Sequence, residues 1–471
     1  VREQQLILGP PGTGKTHYLL SIMEDELATG IRPDRIAFLS FTRRAADEAR
    51  SRAMAKFSFT KEDLPWFRTL HSLAYSRLGL RRDEVMQPKQ YREVGALLGL
   101  EFSTKLDIEE GVPSSRFNGD RYTFLAGYAM AKCVPFEDAW RSCSDDDLNW
   151  WEFRRFLETM AEYKQAKGVF DFTDMLCEPQ APLDVDVVII DEAQDLSTLQ
   201  WQYVKRVVTP HARRVYVAGD DDQAIFQWSG ADVRHFQALD GEQTVLSQSH
   251  RVPVAVHRVA EGIASGITSR YRKEYRPKAD QGSVEHHLSL DSVDLSAPGS
   301  WYLLARNSHL LPRLTALVRD QGLPYSLRGE SVIDPRHVRA IRAWELKRKG
   351  GSPDADDWAI VQTLIPKRDV TGLIWHEALT KIPLIDREWY IGILRRGESL
   401  TKQPRINVAT IHSVKGGEAD NTLLMTDMSA RSWSGYQMDP DGEHRVWYVG
   451  ATRAKNALHV VQPQTRMAFD M

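Results

Sequence analysis

Gly9-Pro10-Pro11-Gly12-Thr13-Gly14-Lys15-Thr16 fits the pattern GxxxxGK[ST] without a mismatch. The glycines let backbone N–H groups turn inward around phosphate oxygens. A helix following them presents its positive end to the same anion. In that arrangement Gly9, Pro10, Gly12, Thr13 and Gly14 form the cradle. Lys15 reaches the β- and γ-phosphates, and the Thr16 hydroxyl ligates Mg²⁺. The competing reading is a Gly-rich turn without a ligand. The strand-like Leu6-Ile7-Leu8 before the loop and the helical residues after it argue against that. A second group, Asp191-Glu192, ends the largely apolar run 185–190. A strand ending in two carboxylates delivers them to the edge of a parallel sheet, where phosphates bind. Asp191 would hold Mg²⁺, and Glu192 would polarise the attacking water as general base. Such a pair alone is often only a solvated strand end. Joined to the phosphate loop, it predicts hydrolysis of a nucleoside triphosphate.

The elements that must position these groups alternate between strand and helix. Residues 36–39 read as a second strand, 43–52 as a helix, and 215–218 as a further strand. Residues 85–165 are rich in helix formers and charge and carry Trp140, Trp150 and Trp151, as a helical insertion would. A second alternating stretch contains the strand Trp301-Tyr302-Leu303-Leu304. Residues 335–403 are again helical and charged, and strands resume at 406–408, 422–425 and 458–461. The expected fold class is α/β: two parallel-sheet domains in tandem, each with a helical insertion. The first domain takes 1–84 and 166–243, interrupted by 85–165. The second takes 244–334 and 404–471, interrupted by 335–403.

At roughly 150 residues per domain, 471 residues predict about three domains. Charged residues at 27% and hydrophobic residues at 42% are ordinary for a globular chain. No apolar run approaches the roughly 20 residues of a membrane helix, so no membrane partner is expected, and no secretory signal is visible. The chain starts at Val1 rather than Met, which predicts missing upstream residues. The net charge of −3 means that any nucleic-acid surface must be local. Cys133, Cys143 and Cys177 have no CxxC spacing. They argue against a disulfide framework, a zinc site or an iron–sulfur cluster, and fit free thiols in a reducing cytoplasm.

Further segments carry a specific resemblance. Asp191-Glu192-Ala193-Gln194-Asp195 resembles the DExxQD box of superfamily 1 helicases. The run Gly219-Asp220-Asp221-Asp222-Gln223-Ala224-Ile225-Phe226-Gln227-Trp228-Ser229-Gly230-Ala231 is similar to GDDDQSIYxWRGA of the UvrD/Rep/PcrA family. Phe41-Thr42-Arg43-Arg44-Ala45-Ala46 resembles FTNKAA, and Thr69-Leu70-His71-Ser72-Leu73-Ala74 resembles TFHGLA. Ser249-His250-Arg251 stands where the family has NYR. Thr410-Ile411-His412-Ser413-Val414-Lys415-Gly416-Gly417-Glu418 resembles TLHSAKGLE, and Tyr448-Val449-Gly450-Ala451-Thr452-Arg453-Ala454 resembles YVGVTRA. The segments follow family order from residue 9 to residue 454.

The resemblance implies two RecA-like P-loop domains and an ATP-dependent DNA helicase of a compact kind. It places Lys15, Thr16, Asp191 and Glu192 on the first core, and Arg251 and Arg453 on the second, reaching the γ-phosphate. Gln223 would link that phosphate to the DNA track, Glu418 would meet the ribose, and His250 would stand in for an adenine-stacking tyrosine. Thr42, Arg43, His71, Phe226, Trp228 and His412 match DNA-contact positions, with Trp228 as the first choice of stacking platform. The mixed Tyr271-Arg272-Lys273-Glu274-Tyr275-Arg276 stretch reads instead as a solvated helix face. The implied partners are single-stranded DNA and its junctions with duplex, with single-strand-binding or recombination proteins. The implied cofactor is Mg²⁺ with ATP, the direction 3′→5′, and the location a bacterial or virus-encoded protein's cytoplasm or nucleoid. Two departures stand out: only 335–403 is available for the family's large second insertion, and 462–471 leaves little room for its strand-separating hairpin. A wedge is then expected in 85–165 or in a 427–442 loop with Trp433 and Tyr436. A single-strand translocase is the alternative. A nucleotide-gated loader and an RNA motor fit the retained residues less well.

Overall fold

Strands buried on both faces must be largely apolar, and the runs 36–39 and 187–190 of this chain are. The computed structural model describes residues 3–103, 117–144 and 147–471, and the short pair Ile108–Glu109 and Val112–Pro113. The chain divides into two compact units, each with its own sheet. The first unit comprises Val1–Arg251, Ala264–Lys278 and Asp439–Tyr448. The second comprises Val252–Ile263, Ala279–Met438 and Val449–Met471. Residues 244–251, 264–278 and 439–448 thus group with the first unit, whereas the sequence assigned them to the second. Their ties are long-range: Lys273 meets Asp220, and the Arg445 guanidinium donates to the Asp221 carbonyl at 2.9 Å. Linear composition carries no trace of such ties.

The sheet of the first unit holds β1 (Glu3–Leu8), β2 (Ile36–Ser40), β3 (Phe67–Thr69), β4 (Val187–Asp191), β5 (Arg214–Gly219) and β6 (Glu242–Val245). Its order is β3-β2-β4-β5-β1-β6, with every pairing parallel. Parallel register brings the C-terminal ends of β1, β4 and β5 to one edge, the usual ligand edge of such sheets. Helix α1 (Lys15–Ala28) buries Leu19, Leu20, Ile22 and Met23. Helix α2 (Arg43–Phe57) buries Ala46, Ala49 and Ala53, small residues on one face that allow close approach to its neighbours.

Residues 85–165 form α3 (Pro88–Leu98), α4 (Asn118–Lys132), α5 (Phe136–Cys143) and most of α6 (Trp150–Lys167). Tyr122, Phe153, Phe156 and Met160 build a separate aromatic core with Val94. Trp140 stacks on Phe153 at 5.4 Å, whereas Trp151 is 70% exposed. The parts of this insertion at 104–107, 110–111, 114–116 and 145–146 lie outside the described residues.

The sheet of the second unit holds β7 (Ser283–His287), β8 (Trp301–Ala305), β9 (Tyr325–Leu327), β10 (Glu330–Ser331), β11 (Ile406–Thr410), β12 (Ala419–Met425) and β13 (Ala454–Val461). The order is β10-β9-β11-β8-β12-β13-β7, parallel except for the β9/β10 pair. Helices Pro335–Arg348, Ala355–Leu364, Trp375–Ala378 and Leu384–Arg395 occupy 335–403. Trp344, Val361, Trp375, Trp389 and Ile393 share one core with Trp301, Leu303 and Ile406 of the sheet, so these helices are not a separate lobe. The 427–442 region is not a loop: Ala430–Met438 is helical, and Tyr436 packs between Trp433 and Phe469, each ring 5.7 Å away. No helix among the described residues is long and apolar enough to cross a membrane.

Candidate active site and nucleic-acid interface

The phosphate loop leaves β1 and enters α1 through two left-handed residues, Gly12 (φ 73°) and Gly14 (φ 77°). Gly12 is required twice. Its φ favours glycine, and a Cβ there would sit 2.3 Å from the Arg251 Cβ and 2.9 Å from Ser249 Oγ. The loop is otherwise held by its own bonds. Thr13 Oγ1 donates to the Pro10 carbonyl at 2.8 Å, and Gly9 N–H donates to the Gly219 carbonyl at 2.9 Å. Ser249 Oγ donates to the Pro11 carbonyl and His250 N–H to the Gly12 carbonyl, both at 2.8 Å. The His250 side chain is exposed. Arg251 therefore groups with the phosphate loop in the first unit, not with the second core.

Lys15 Nζ lies 2.6 Å from Glu192 Oε1 and 3.5 Å from Asp191 Oδ1. Burial opposes the Lys15 charge, but the two carboxylates outweigh it and raise its pKa. Burial pushes Asp191 up to about 6 even with Lys15 beside it. One ammonium facing two carboxylates leaves one negative charge in excess, so a divalent cation fits this donor set. Glu192 itself is left-handed (φ 55°), a costly conformation for a residue with a Cβ and one found mostly at functional sites.

From Glu192 a chain of bonds runs along the sheet edge. Gln194 Nε2 donates to Glu192 Oε2 at 2.6 Å, and Gln194 Oε1 accepts the Asp220 N–H at 3.1 Å. Gln223 Nε2 donates to Asp220 Oδ2 at 2.7 Å. The sequence missed what lies behind it. Lys273, 1% exposed at its side chain, is ion-paired with Asp220 at 2.6 Å, with Asp222 at 2.9 Å and with Asp221. Arg270 adds a 2.5 Å pair to Asp222. Burial works against the Lys273 charge, but the three aspartates outweigh it and raise its pKa, whereas burial pushes Asp222 up to about 6. The 271–276 stretch is thus not a solvated helix face. It is extended, with Lys273 and Tyr275 buried and Arg272, Glu274 and Arg276 exposed. That alternation of two was the available signal.

Beyond Gln223 the same segment turns aromatic. Phe226 stacks on Phe41 at 5.4 Å and meets Trp228 edge-on at 6.2 Å. Trp228 helps line a cavity of about 590 Å³ with Phe41, His71, Phe124, Tyr128 and Phe172. His71 meets Phe172 edge-on at 5.8 Å, and burial pushes its pKa down to about 4 with Asp171 opposing. Phe124 and Phe172 were not singled out by sequence, and Phe41 only as the first residue of the Phe41–Ala46 segment. The Thr42 hydroxyl accepts the Ala45 N–H at 3.2 Å and caps α2, and Arg43 is exposed.

In the second unit His412 is 8% exposed, so its ring is buried rather than displayed. Arg453 is 1% exposed, and its guanidinium donates to the Val449 carbonyl at 2.9 Å and to the Gly417 carbonyl at 3.1 Å. Lys455 Nζ is 3.9 Å from Glu418 Oε1 and 3.2 Å from Asp420 Oδ1.

Comparison with known proteins agrees with this geometry. The UvrD/REP helicase N-terminal domain matches residues 1–243, and the UvrD-like helicase C-terminal domain matches residues 392–464. The chain belongs to the UvrD/Rep helicase family, and its two sheet-bearing units have the tandem α/β architecture of that family's RecA-like domains. It is 22% identical over 305 residues to the ATP-dependent DNA helicase Rep of Buchnera aphidicola subsp. Baizongia pistaciae, covering 60% of this chain and 44% of that protein. It is 22% identical over 489 residues to a probable DNA helicase of Mycoplasma pneumoniae, covering 96% of this chain and 79% of that protein. With DNA helicase II of Escherichia coli it shares 22% over 329 residues, covering 62% and 43%. The chain therefore spans less than half the length of the Rep and DNA helicase II relatives.

Proposed function

We propose that this chain hydrolyses ATP to move along single-stranded DNA in the 3′→5′ direction and to separate strands ahead of it. The observation that carries the reading is the bonded path from Lys15 through Glu192, Gln194 and Asp220 to Gln223, three residues before Phe226. It joins a phosphate site to an aromatic-lined cavity within one unit. Family membership and the relatives' names support DNA as the track and ATP as the substrate.

In this mechanism the loop of Gly9, Pro10, Gly12, Thr13 and Gly14 wraps the phosphates, with backbone N–H groups supplied from Gly12 onwards. Phosphate oxygens replace the carboxylates around Lys15 Nζ, which releases Glu192 to orient and deprotonate the attacking water. Thr16 and Asp191 would hold Mg²⁺, which when bound neutralises charge on the β- and γ-oxygens. Arg251 and Arg453 serve as γ-phosphate arginines, Arg453 after exchanging its carbonyl partners. Glu418 and His250 meet the ribose and base. Gln223 reports the phosphate state to Phe226 and Trp228, on which bases stack, with His71, Thr42, Arg43 and His412 completing the track. Partners that coat or process single-stranded DNA are part of the same proposal.

The test uses duplexes with a 3′ tail, a 5′ tail or no tail, with ATP, and Glu192→Gln as control. Unwinding of the 3′-tailed duplex alone supports the proposal. DNA-stimulated ATPase without strand separation reduces it to a translocase. Absence of DNA-stimulated ATPase overturns it.

A further inference from the structure

A second cluster of chemistry lies in the second unit, on residues not used above. Strand β7 is the edge of its sheet and pairs in parallel with β13, with Glu285 opposite His459 and His287 opposite Val461. Strand side chains alternate faces, so Glu285, His287 and His459 share one face. The His459 imidazole is 6% exposed and stacks on the Trp301 indole at 4.9 Å, which fixes its plane. His287 Nε2 lies 3.0 Å from His459 Nδ1. Glu285 Oε2 lies 3.5 Å from His459 Nδ1 and 3.9 Å from His287 Nε2.

Three donor atoms of two imidazoles and one carboxylate thus form a small triangle. A tetrahedral ion with bonds of about 2.0–2.1 Å places its ligands roughly 3.3–3.4 Å apart, and the three separations bracket that value. The donor set selects the ion: imidazole nitrogen suits Zn²⁺ and its neighbours, whereas Mg²⁺ and Ca²⁺ prefer oxygen. Glu285, 53% exposed at its side chain, leaves an approach from solvent.

We propose that Glu285, His287 and His459 bind one zinc-class divalent ion, with water in the open fourth position, and that this ion clips edge strand β7 to β13. The site uses no cysteine, so cysteine spacing could not disclose it. It is independent of the ATP-site reading, because its ligands lie on other strands and its ion is not Mg²⁺.

The experiment uses the full chain without a histidine tag, stripped with chelator, and titrated with Co²⁺ in excess Mg²⁺. The expected result is a visible ligand-field band that saturates at one Co²⁺ per chain, is displaced by Zn²⁺, and accompanies a rise in Tm. Glu285→Gln and His287→Gln, at partly solvated positions, are each expected to weaken binding more than about tenfold, because losing a ligand costs at least as much as losing an outer-shell partner. His459→Gln is a third variant, read only if its circular dichroism matches the parent. No saturable band overturns the proposal, as does a band undiminished in the Glu285→Gln/His287→Gln double variant. ATPase activity is not the readout, so failure here leaves the motor reading standing.

Discussion

Gln194 holds Glu192 from behind: its Nε2 donates to Glu192 Oε2 at 2.6 Å, while its own Oε1 accepts the Asp220 N–H at 3.1 Å. One carboxamide thus orients the proposed general base and fixes the start of the segment leading to Gln223. Gln194→Ala is expected to lower the kcat of DNA-stimulated ATP hydrolysis about tenfold or more, with a smaller change in KM. Steady-state kinetics check it, and an unchanged kcat would show that Glu192 orients itself.

Lys15 is shared between two carboxylates, so removing one alters binding as well as chemistry. Glu192→Gln is expected to lower kcat by at least about 10²-fold. It should also tighten ATP, because Lys15 loses a competitor for phosphate. Fluorescent-nucleotide titration reads the binding change, and weaker binding would contradict the competition.

Lys273 compensates three buried aspartates. Lys273→Met should destabilise the first unit by about 3–5 kcal/mol, the usual cost of stranding buried charge. Lys273→Arg should recover part of that. Urea unfolding monitored by tryptophan fluorescence measures both, and a Met variant as stable as the parent would refute the compensation.

Trp228 sits where the bonded path meets the aromatic cavity. Trp228→Ala is expected to weaken single-stranded DNA binding by about 1–3 kcal/mol with little change in salt slope, because stacking releases no counterions. Anisotropy titrations across salt concentrations test this. Unchanged DNA affinity with a lowered Tm would assign Trp228 to the protein core instead.

His71 is buried in a neutral state, with a pKa near 4 against an ordinary value of 6.5. The unfolded chain binds the proton more readily, so His71 supports stability above pH 6.5, and that support is lost as pH falls towards 4. The loss is at most about 3 kcal/mol. His71→Gln should flatten the stability–pH curve between those limits, and an unaltered curve would place the titration elsewhere.

The phosphate loop, the paired carboxylates and most central strands were legible because each is local. Eight contiguous residues specify the cradle, and an apolar run long enough for a buried strand announces β4 or β8 without reference to any partner. Short or polar strands were not legible. Phe67–Thr69 and Glu242–Val245 carry too few apolar residues to stand out, and they form because a neighbouring edge supplies hydrogen bonds. The same holds for 271–276, whose mixed charge reads as solvated until Asp220, Asp221 and Asp222 are placed opposite it.

Local order along the chain therefore determined the family and the fold class, and singled out Lys15, Asp191 and Glu192 as the candidate phosphate site. Tertiary structure alone decided which charges neutralise one another. Lys273 against three aspartates, Arg251 beside Gly12, and the Glu285/His287 pair against His459 are separated by tens to hundreds of residues. Coulomb and hydrogen-bond energies depend on distance in space and on exclusion of water, and neither quantity exists until the chain has folded.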